Sequence, residues 1–121
     1  MIRLPETIYV ATTPVNLRLS FDRLAGIVRE VLGQDPRGEA VFVFHNRCRT
    51  HVKILWHDRR GYCLVYKRLD RGVFRLPLAV PPGCAQVSIS RRELDALFEG
   101  VDAALLRRAR QVVREHAAAS A

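Results

Sequence analysis

The sequence predicts an α+β fold, with helices laid against one face of an antiparallel β-meander of about four to five strands. Three observations predict it. Apolar residues recur at helical spacing between residues 17 and 32, and the spacing changes to alternation between residues 40 and 67. A capping box then begins at Ser90, which predicts the start of another helix. Strands grouped together, with helices before and after them, are typical of α+β proteins.

The first predicted strand covers residues 7–11 (TIYVA), because β-branched and aromatic residues dominate it. A helix is predicted over about residues 17–32, and it should pack on one face of the sheet. Gly33 follows as the predicted end of that helix, and a turn-forming cluster occupies residues 34–38. The residues expected on the buried stripe of the helix are Leu17, Phe21, Leu24, Val28 and Val31.

Three further strands are predicted over residues 40–44, 52–57 and 62–67. Asp58 opens a turn between the last two, and Gly61 should close it with a positive φ. The short connections predict antiparallel neighbours. One more strand is predicted over residues 74–78 and an edge strand over residues 85–89.

Two short helices are predicted after the sheet. The first begins at the capping box Ser90 to Glu93, and Gly100 should end it. The second covers residues 102–115. We therefore predict one domain over residues 1–116, followed by a frayed tail at 117–121. The apolar face of the first of these helices should consist of Leu94, Leu97, Phe98 and Val101.

Composition excludes several classes of protein. The chain has 121 residues, of which 49% are apolar, which is too apolar for a disordered protein. No stretch approaches the ~20 apolar residues of a membrane span, and the N-terminus lacks the apolar core of a signal peptide. The odd number of cysteines (Cys48, Cys63 and Cys84) predicts free thiols in a cytoplasmic protein.

Charge gives the strongest indication of function. The net charge is +8, and residues 45–77 contain nine Lys and Arg against two acids, Asp58 and Asp70. Such an excess favours phosphate contacts, which give affinity for nucleic acid without sequence information. An acidic protein partner and simple solubility are the alternatives. The predicted nucleic-acid-binding residues are Arg47, Arg49, Lys53, Arg59, Arg60, Lys67, Arg68, Arg71 and Arg75.

Aromatic residues are interleaved with these cations. Trp56, Tyr62 and Tyr66 could stack on unpaired bases, as on sheet-based single-strand binders. More often such residues pack beneath a helix, and the alternation puts Tyr62 and Tyr66 on the same side as Leu64. The sequence therefore favours a core role for them.

A metal site is the competing interpretation of the same stretch. His45, Cys48, His51 and His57 are all competent zinc ligands. However, the chain has no Cys-x-x-Cys pair and no His-x₃-His spacing, which real sites usually show. We predict no metal and no cofactor.

Catalysis has little support in the sequence. A metal-dependent nuclease needs converging carboxylates, yet Asp22, Asp58 and Asp70 fall in separate elements with simpler roles at a helix start, in a turn and beside arginines. The position of Cys63 on a strand indicates a small buried apolar residue and not a nucleophile. The prediction is a protein that is not an enzyme and has no small-molecule substrate.

Four stretches carry a family resemblance: ATTPVNLRLSFDRLAGIV, VFVFHNR, VKILWHDRRGYCLVYKRLDRGVFRLP and SISRRELDALFEGVD. They resemble TnpB, the accessory protein encoded by the second open reading frame of the insertion-sequence-66 group of bacterial transposable elements. The third stretch matches that family's Lys-x-Leu-x-x-Asp-x-x-Gly and Tyr-Lys-Arg-Leu-x-x-Gly-x-Phe-x-x-Pro block. This chain departs from the family at Asn16, where an Asp is usual, and at Leu19 and Ser20, where Lys-Gly is typical.

The resemblance implies an accessory protein encoded beside a transposase and needed for efficient transposition. It is distinct from the much longer RNA-guided nucleases that share the TnpB name. Three hypotheses follow: the protein binds DNA at transposon ends or in a transposition intermediate, it docks on the transposase of the same element, or it is a small nuclease. The first two are compatible with each other, and neither involves a membrane.

Overall fold

The computed structural model describes residues 3–100 of the chain. They form one five-stranded sheet with the strand order β4-β3-β2-β1-β5, together with two helices. In chain order the elements are β1 (Thr7–Ala11), α1 (Phe21–Glu30), β2 (Ala40–His45), β3 (His51–His57), β4 (Tyr62–Arg68), β5 (Gln86–Ile89) and α2 (Arg91–Glu99).

The sheet is mixed, which corrects the prediction of a purely antiparallel meander. β1 and β2 run parallel, with Thr7 opposite Ala40 and Val10 opposite Val43. The connection between them is long enough to return the chain to the starting end of the sheet, and α1 forms part of it. The meander prediction is confirmed only for β2, β3 and β4, which pair antiparallel in sequence order. The predicted edge strand is also confirmed, since β5 pairs antiparallel with β1.

Helices cover both faces of the sheet, not one face as predicted. Leu24 and Val28 of α1 pack against Phe42 on one face, while Leu94 and Leu97 of α2 belong to the core on the other. The reason is visible in β2, whose six residues AVFVFH are all buried. A continuous apolar run is typical of a strand that is covered on both sides. We call the two sides the α1 face and the α2 face.

Helix α1 is shorter than predicted. Leu17 and Leu32 are buried as expected but lie outside the helix, while Phe21 and Val31 are exposed instead of buried. Gly33 adopts φ +64 and reverses the chain just beyond the helix, as its predicted role requires.

The predicted strand at residues 74–78 is absent from the sheet. Phe74 is fully buried in the α2-face core, and its backbone N–H donates to the carbonyl oxygen of Arg49 at 2.7 Å. Pro77 has no N–H with which to continue a ladder. The segment therefore covers the sheet instead of extending it.

The capping box is confirmed: the side chains of Ser90 and Glu93 each accept from the other's backbone N–H at 3.1 Å. Helix α2 ends at Gly100, whose φ is +79. The turn predicted at Asp58 is also confirmed, although Gly61 does not have the positive φ predicted for it. Val101, the predicted helix at 102–115 and the tail lie outside the described residues. Within residues 3–100, no helix has the length and apolarity to cross a membrane.

Candidate nucleic-acid interface

The predicted cations do not form one surface, because they lie at opposite ends of the sheet. The loops around residues 12–20, 46–50 and 69–73 meet at one end, since Val15 bonds to His45, and Leu69 bonds to Thr50. The β3–β4 turn lies at the other end, about 20 Å away along the seven residues of β3. We call the first the basic end, defined by Arg18, Arg47, Arg49, Arg68 and Arg71, and the second the hairpin end, with Arg59 and Arg60.

The two ends differ in charge. All five arginines of the basic end are exposed, and within residues 3–100 none of them has a carboxylate within 4.0 Å. At the hairpin end, four acids balance four cations, whereas the five arginines of the basic end outnumber the two nearby acids, Asp22 and Asp70. The opposing residues at the hairpin end are Arg3, Arg37, Arg59 and Arg60 against Glu6, Asp35, Glu39 and Asp58.

Asn46 organises the loop that carries Arg47 and Arg49. Its side-chain oxygen accepts the backbone N–H groups of Thr50 at 2.9 Å and His51 at 3.1 Å. Its side-chain nitrogen lies 3.0 Å from Thr50 Oγ1 and 3.1 Å from His51 Nδ1. One amide thus fixes both the backbone and the side chains of the loop, and the two arginines are presented on a rigid turn.

Arg49 itself has an unusual backbone conformation. Its φ is +59, in the left-handed region that non-glycine residues rarely adopt. The conformation is held from both sides, because the Arg49 N–H donates to the Asn46 carbonyl and the Arg49 carbonyl accepts from Phe74. Strained residues of this kind are concentrated at functional sites.

Lys53 points into the protein, which corrects its assignment as a surface contact for phosphate. Its side chain is 6% exposed, and the ammonium donates to the carbonyl oxygen of Leu19 at 2.7 Å. The same ammonium lies 4.8 Å from the centroid of the Tyr66 ring. Lys53 therefore joins β3 to the segment that precedes α1.

Lys67 is likewise engaged within the protein. It is half-buried on the α2 face, and its ammonium donates to the carbonyl oxygen of Phe98 at 2.6 Å and lies 4.6 Å from that residue's ring centroid. A cation at the C-terminus of a helix is favourable, and α2 has no basic residue in its own last turn. Lys67 supplies that charge from the neighbouring strand.

Arg75 lies apart from the basic end. It is exposed on the α2 face, where it lines a cavity together with Glu93, Ile89 and Leu97. Of the predicted nucleic-acid-binding residues, only Arg47, Arg49, Arg68 and Arg71 come together at the basic end.

The candidate metal ligands also have separate roles. His45 is fully buried, with Nε2 2.9 Å from the carbonyl oxygen of Ala11 and Nδ1 3.1 Å from that of Asn46. His51 is bound by Asn46, and Cys48 is exposed. In the described part of the chain, no group of three His, Cys, Asp or Glu side chains could hold a metal ion.

Asp58 has a structural role in its turn. Its Oδ1 accepts the backbone N–H groups of Arg60 at 2.8 Å and Gly61 at 3.0 Å, and these hydrogen bonds lower the pKa of the carboxyl group. Burial, and then the charge of Asp58, raise the pKa of the neighbouring Cys63 thiol. Asp22 and Asp70 are exposed near the opposite end of the sheet.

The aromatic residues divide into two kinds. Trp56 is 3% exposed in the α2-face core, as predicted, and Tyr62 is half-buried with its ring against His57 at 4.8 Å between centroids. Tyr66, in contrast, is 54% exposed, so the prediction of a core role is wrong for this residue.

Sequence reasoning missed Arg18 of the basic end and the role of Asn46 in the neighbouring loop. Arg18 belongs to the basic end because residues 15–19, of which 17–19 were predicted as the start of the helix, lie outside α1 and against His45 and Lys53. Asn46 has no role in the prediction from sequence. A signal for it was present, since an Asn directly after an apolar strand commonly bonds to backbone groups of the following turn.

Comparison with known proteins identifies the relatives of this chain. A family model described as "IS66 Orf2 like protein" matches residues 6–108. The uncharacterized protein y4hO of Sinorhizobium fredii is 40% identical over 95 residues, which cover 78% of this chain and 80% of that protein. The uncharacterized protein y4jC of the same organism is 30% identical over 95 residues, with 78% and 79% coverage. No solved structure matches significantly.

Proposed function

The chain belongs to the IS66 Orf2-like family, and we propose that it is a non-catalytic accessory protein of transposition that holds DNA at its basic end. The observation that carries the proposal is the group of exposed arginines without carboxylate partners in residues 3–100. Arginine binds phosphate through two hydrogen bonds and matches its geometry better than lysine does. The transposase of the same element is the second expected partner.

Two further features support this site. The carboxyl ends of the parallel strands β1 and β2 lie at the basic end, and α1 begins there with its partial positive charge. The Asn46 hydrogen bonds fix the backbone of the loop that carries Arg47 and Arg49, so little backbone entropy is lost when these arginines bind. The proposed contacts do not include Lys53 and Lys67, because their ammonium groups bind backbone carbonyl oxygens within the protein. They do not include Arg75, because it lies on the α2 face.

The proposal is tested by measuring DNA affinity at several salt concentrations. Four phosphate contacts should lower the affinity for duplex DNA by about a hundredfold between 50 and 200 mM salt, because condensed counterions are released on binding. The variant Arg47→Glu/Arg49→Glu should lose most of the affinity for every sequence tested. The matched variant Arg59→Glu/Arg60→Glu, at the hairpin end, makes the same charge change and should lose much less. Equal losses, or an affinity insensitive to salt, would contradict the proposal.

A docking role on the transposase is the second candidate. A shallow cleft lies between α2 and the edge strand β4, and its lining is largely apolar. Val65 of β4 is 37% exposed beside it. Copurification of the two proteins, abolished by Val65→Asp and unaffected by Arg47→Glu/Arg49→Glu, would favour this role. The lining residues are Leu4, Ile54, Trp56, Val65, Arg91, Leu94, Asp95 and Phe98.

A further inference from the structure

We infer that the α1 face next to the basic end binds an unpaired nucleotide, with the base stacked on the ring of Tyr66. This rests on the proposed function, because it specifies the form of DNA that the basic end holds. The inference starts from exposure: Tyr66 is 54% and Phe21 is 41% exposed. Two aromatic side chains are thus open to solvent, and β4 and the start of α1 carry them.

The Tyr66 ring is fixed in orientation by its neighbours. The ammonium of Lys53 lies 4.8 Å from the ring centroid, and the His51 ring lies 5.9 Å away with an interplanar angle of 41°. Tyr66 also belongs to β4, which is an edge strand of the described sheet, so its exposed side is not closed off by another strand. A ring already held in place loses little entropy when a base stacks on it.

Lys53 adds a positive charge directly beside this ring. Its ammonium donates to Leu19 and has no carboxylate within 4.0 Å among the described residues, although the side chain is only 6% exposed. A charge in such a position is poorly screened, because little solvent reaches it. Lys53 does not contact a phosphate itself, but its charge attracts an anionic group to the surface nearby, which suits the phosphates that flank a stacked base.

The other side chains of this corner match the same ligand. Phe21 begins α1, two residues after the carbonyl group that binds Lys53, and Arg18 directly precedes Leu19. Arg68 is opposite His51 in the β3–β4 register. Aromatic rings surrounded by arginines are the usual composition of a single-strand site, where bases stack and phosphates contact cations. A base inside a duplex cannot offer its face to Tyr66, which makes an unpaired nucleotide the matching ligand.

The test compares a labelled 15-nucleotide oligothymidine with a blunt-ended duplex of two fully paired strands in fluorescence anisotropy titrations of the full chain. Tyr66→Ala should weaken binding of the single strand roughly tenfold and change duplex binding less than twofold. Tyr66→Phe keeps the ring and should bind as the unmodified protein does. Tyr66→Leu keeps the bulk without a π system and should behave like the alanine variant, which separates stacking from packing. Val31→Ala alters an exposed residue at the other end of α1 and should have no effect.

The outcomes separate this inference from the proposed function. Equal losses on the two DNAs, no loss on either, or an unmodified protein that binds only duplex would overturn the stacking inference and leave phosphate contact at the basic end in place. Failure of the unmodified protein to bind either DNA in a salt-dependent way would overturn both.

Discussion

The ammonium of Lys53 donates a hydrogen bond to the backbone carbonyl oxygen of Leu19, 2.7 Å away. This bond joins the middle of β3 to the chain just before α1. The same ammonium group lies over one side of the Tyr66 ring. Replacing Lys53 with Met keeps most of the apolar packing but leaves the carbonyl group without its partner. We expect the free energy of unfolding to fall by about 1–2 kcal/mol in urea titrations. The control is Arg68→Met on exposed β4, which should change it by less than about 0.5 kcal/mol.

Asn46 should matter for both stability and DNA affinity. Asn46→Ala removes the acceptor for two backbone N–H groups and the donor to Thr50 and His51. We expect a loss of about 1–3 kcal/mol in the free energy of unfolding, together with weaker DNA binding because the loop no longer holds Arg47 and Arg49. Asn46→Asp keeps the acceptor and should lose less stability. An alanine variant as stable as the unmodified protein would contradict the role given to this amide.

Two variants of Arg49 separate the effect of its backbone strain on stability from the effect of its charge on DNA affinity. Glycine adopts a φ of +59 freely, so Arg49→Gly should stay within about 1 kcal/mol of the original stability while DNA affinity falls. Arg49→Val removes the same charge but places a β-branched residue in the left-handed region, which should destabilise the fold by about 1–3 kcal/mol. Unfolding and binding titrations of the two variants check this. Equal stabilities would show that the loop does not impose this conformation.

Asp58 should make the free energy of unfolding depend on pH under acidic conditions. Hydrogen bonds from the backbone of Arg60 and Gly61 lower its folded-state pKa below the ordinary value of 3.8. A carboxyl group with a lowered pKa adds stability above its unfolded value, and that stability is lost as the pH falls through the folded pKa. Urea midpoints measured from pH 6 to pH 2 should therefore fall less steeply in Asp58→Asn than in the unmodified protein. Parallel curves would contradict the role of this carboxylate.

Cys63 should react more slowly than the other two cysteines. Burial and the neighbouring Asp58 raise the pKa of its thiol, whereas Cys48 and Cys84 are exposed. Since the thiolate is the reactive form, iodoacetamide should modify Cys63 last, as followed by mass spectrometry. Asp58→Asn removes the nearby negative charge and should speed up the reaction of Cys63 alone. An unchanged rate at Cys63 would indicate that burial controls its reactivity.

Much of the secondary structure could be predicted because local patterns determine it. The alternation in β3 and β4, the Asp58 turn and the Ser90 capping box each depend on residues close together in the sequence. Strand partners depend on distant residues, and no local sequence pattern indicates the parallel pairing of β1 with β2. One global sign was present, since the uninterrupted apolar run of β2 indicated a strand covered on both faces.

The candidate site was predictable in composition but not in arrangement. Counting charges identified the arginines, yet a count cannot show that Arg47 and Arg59 lie at opposite ends of β3. Nor can it separate Lys53, whose long side chain turns inward to a backbone carbonyl group, from a surface lysine. Such distinctions depend on register and on where irregular segments pass over the sheet.

The position of β1 in the sheet has a consequence for the order of folding. β1 is the first strand of the chain, but its two partners, β2 and β5, occupy residues 40–45 and 86–89. The β2-β3-β4 meander needs only short loop closures and should form early, whereas β1 must wait for partners far along the sequence. During synthesis, one edge of β1 therefore stays open until residue 89 has left the ribosome. A nascent chain stalled before that point would present an unpaired strand to chaperones.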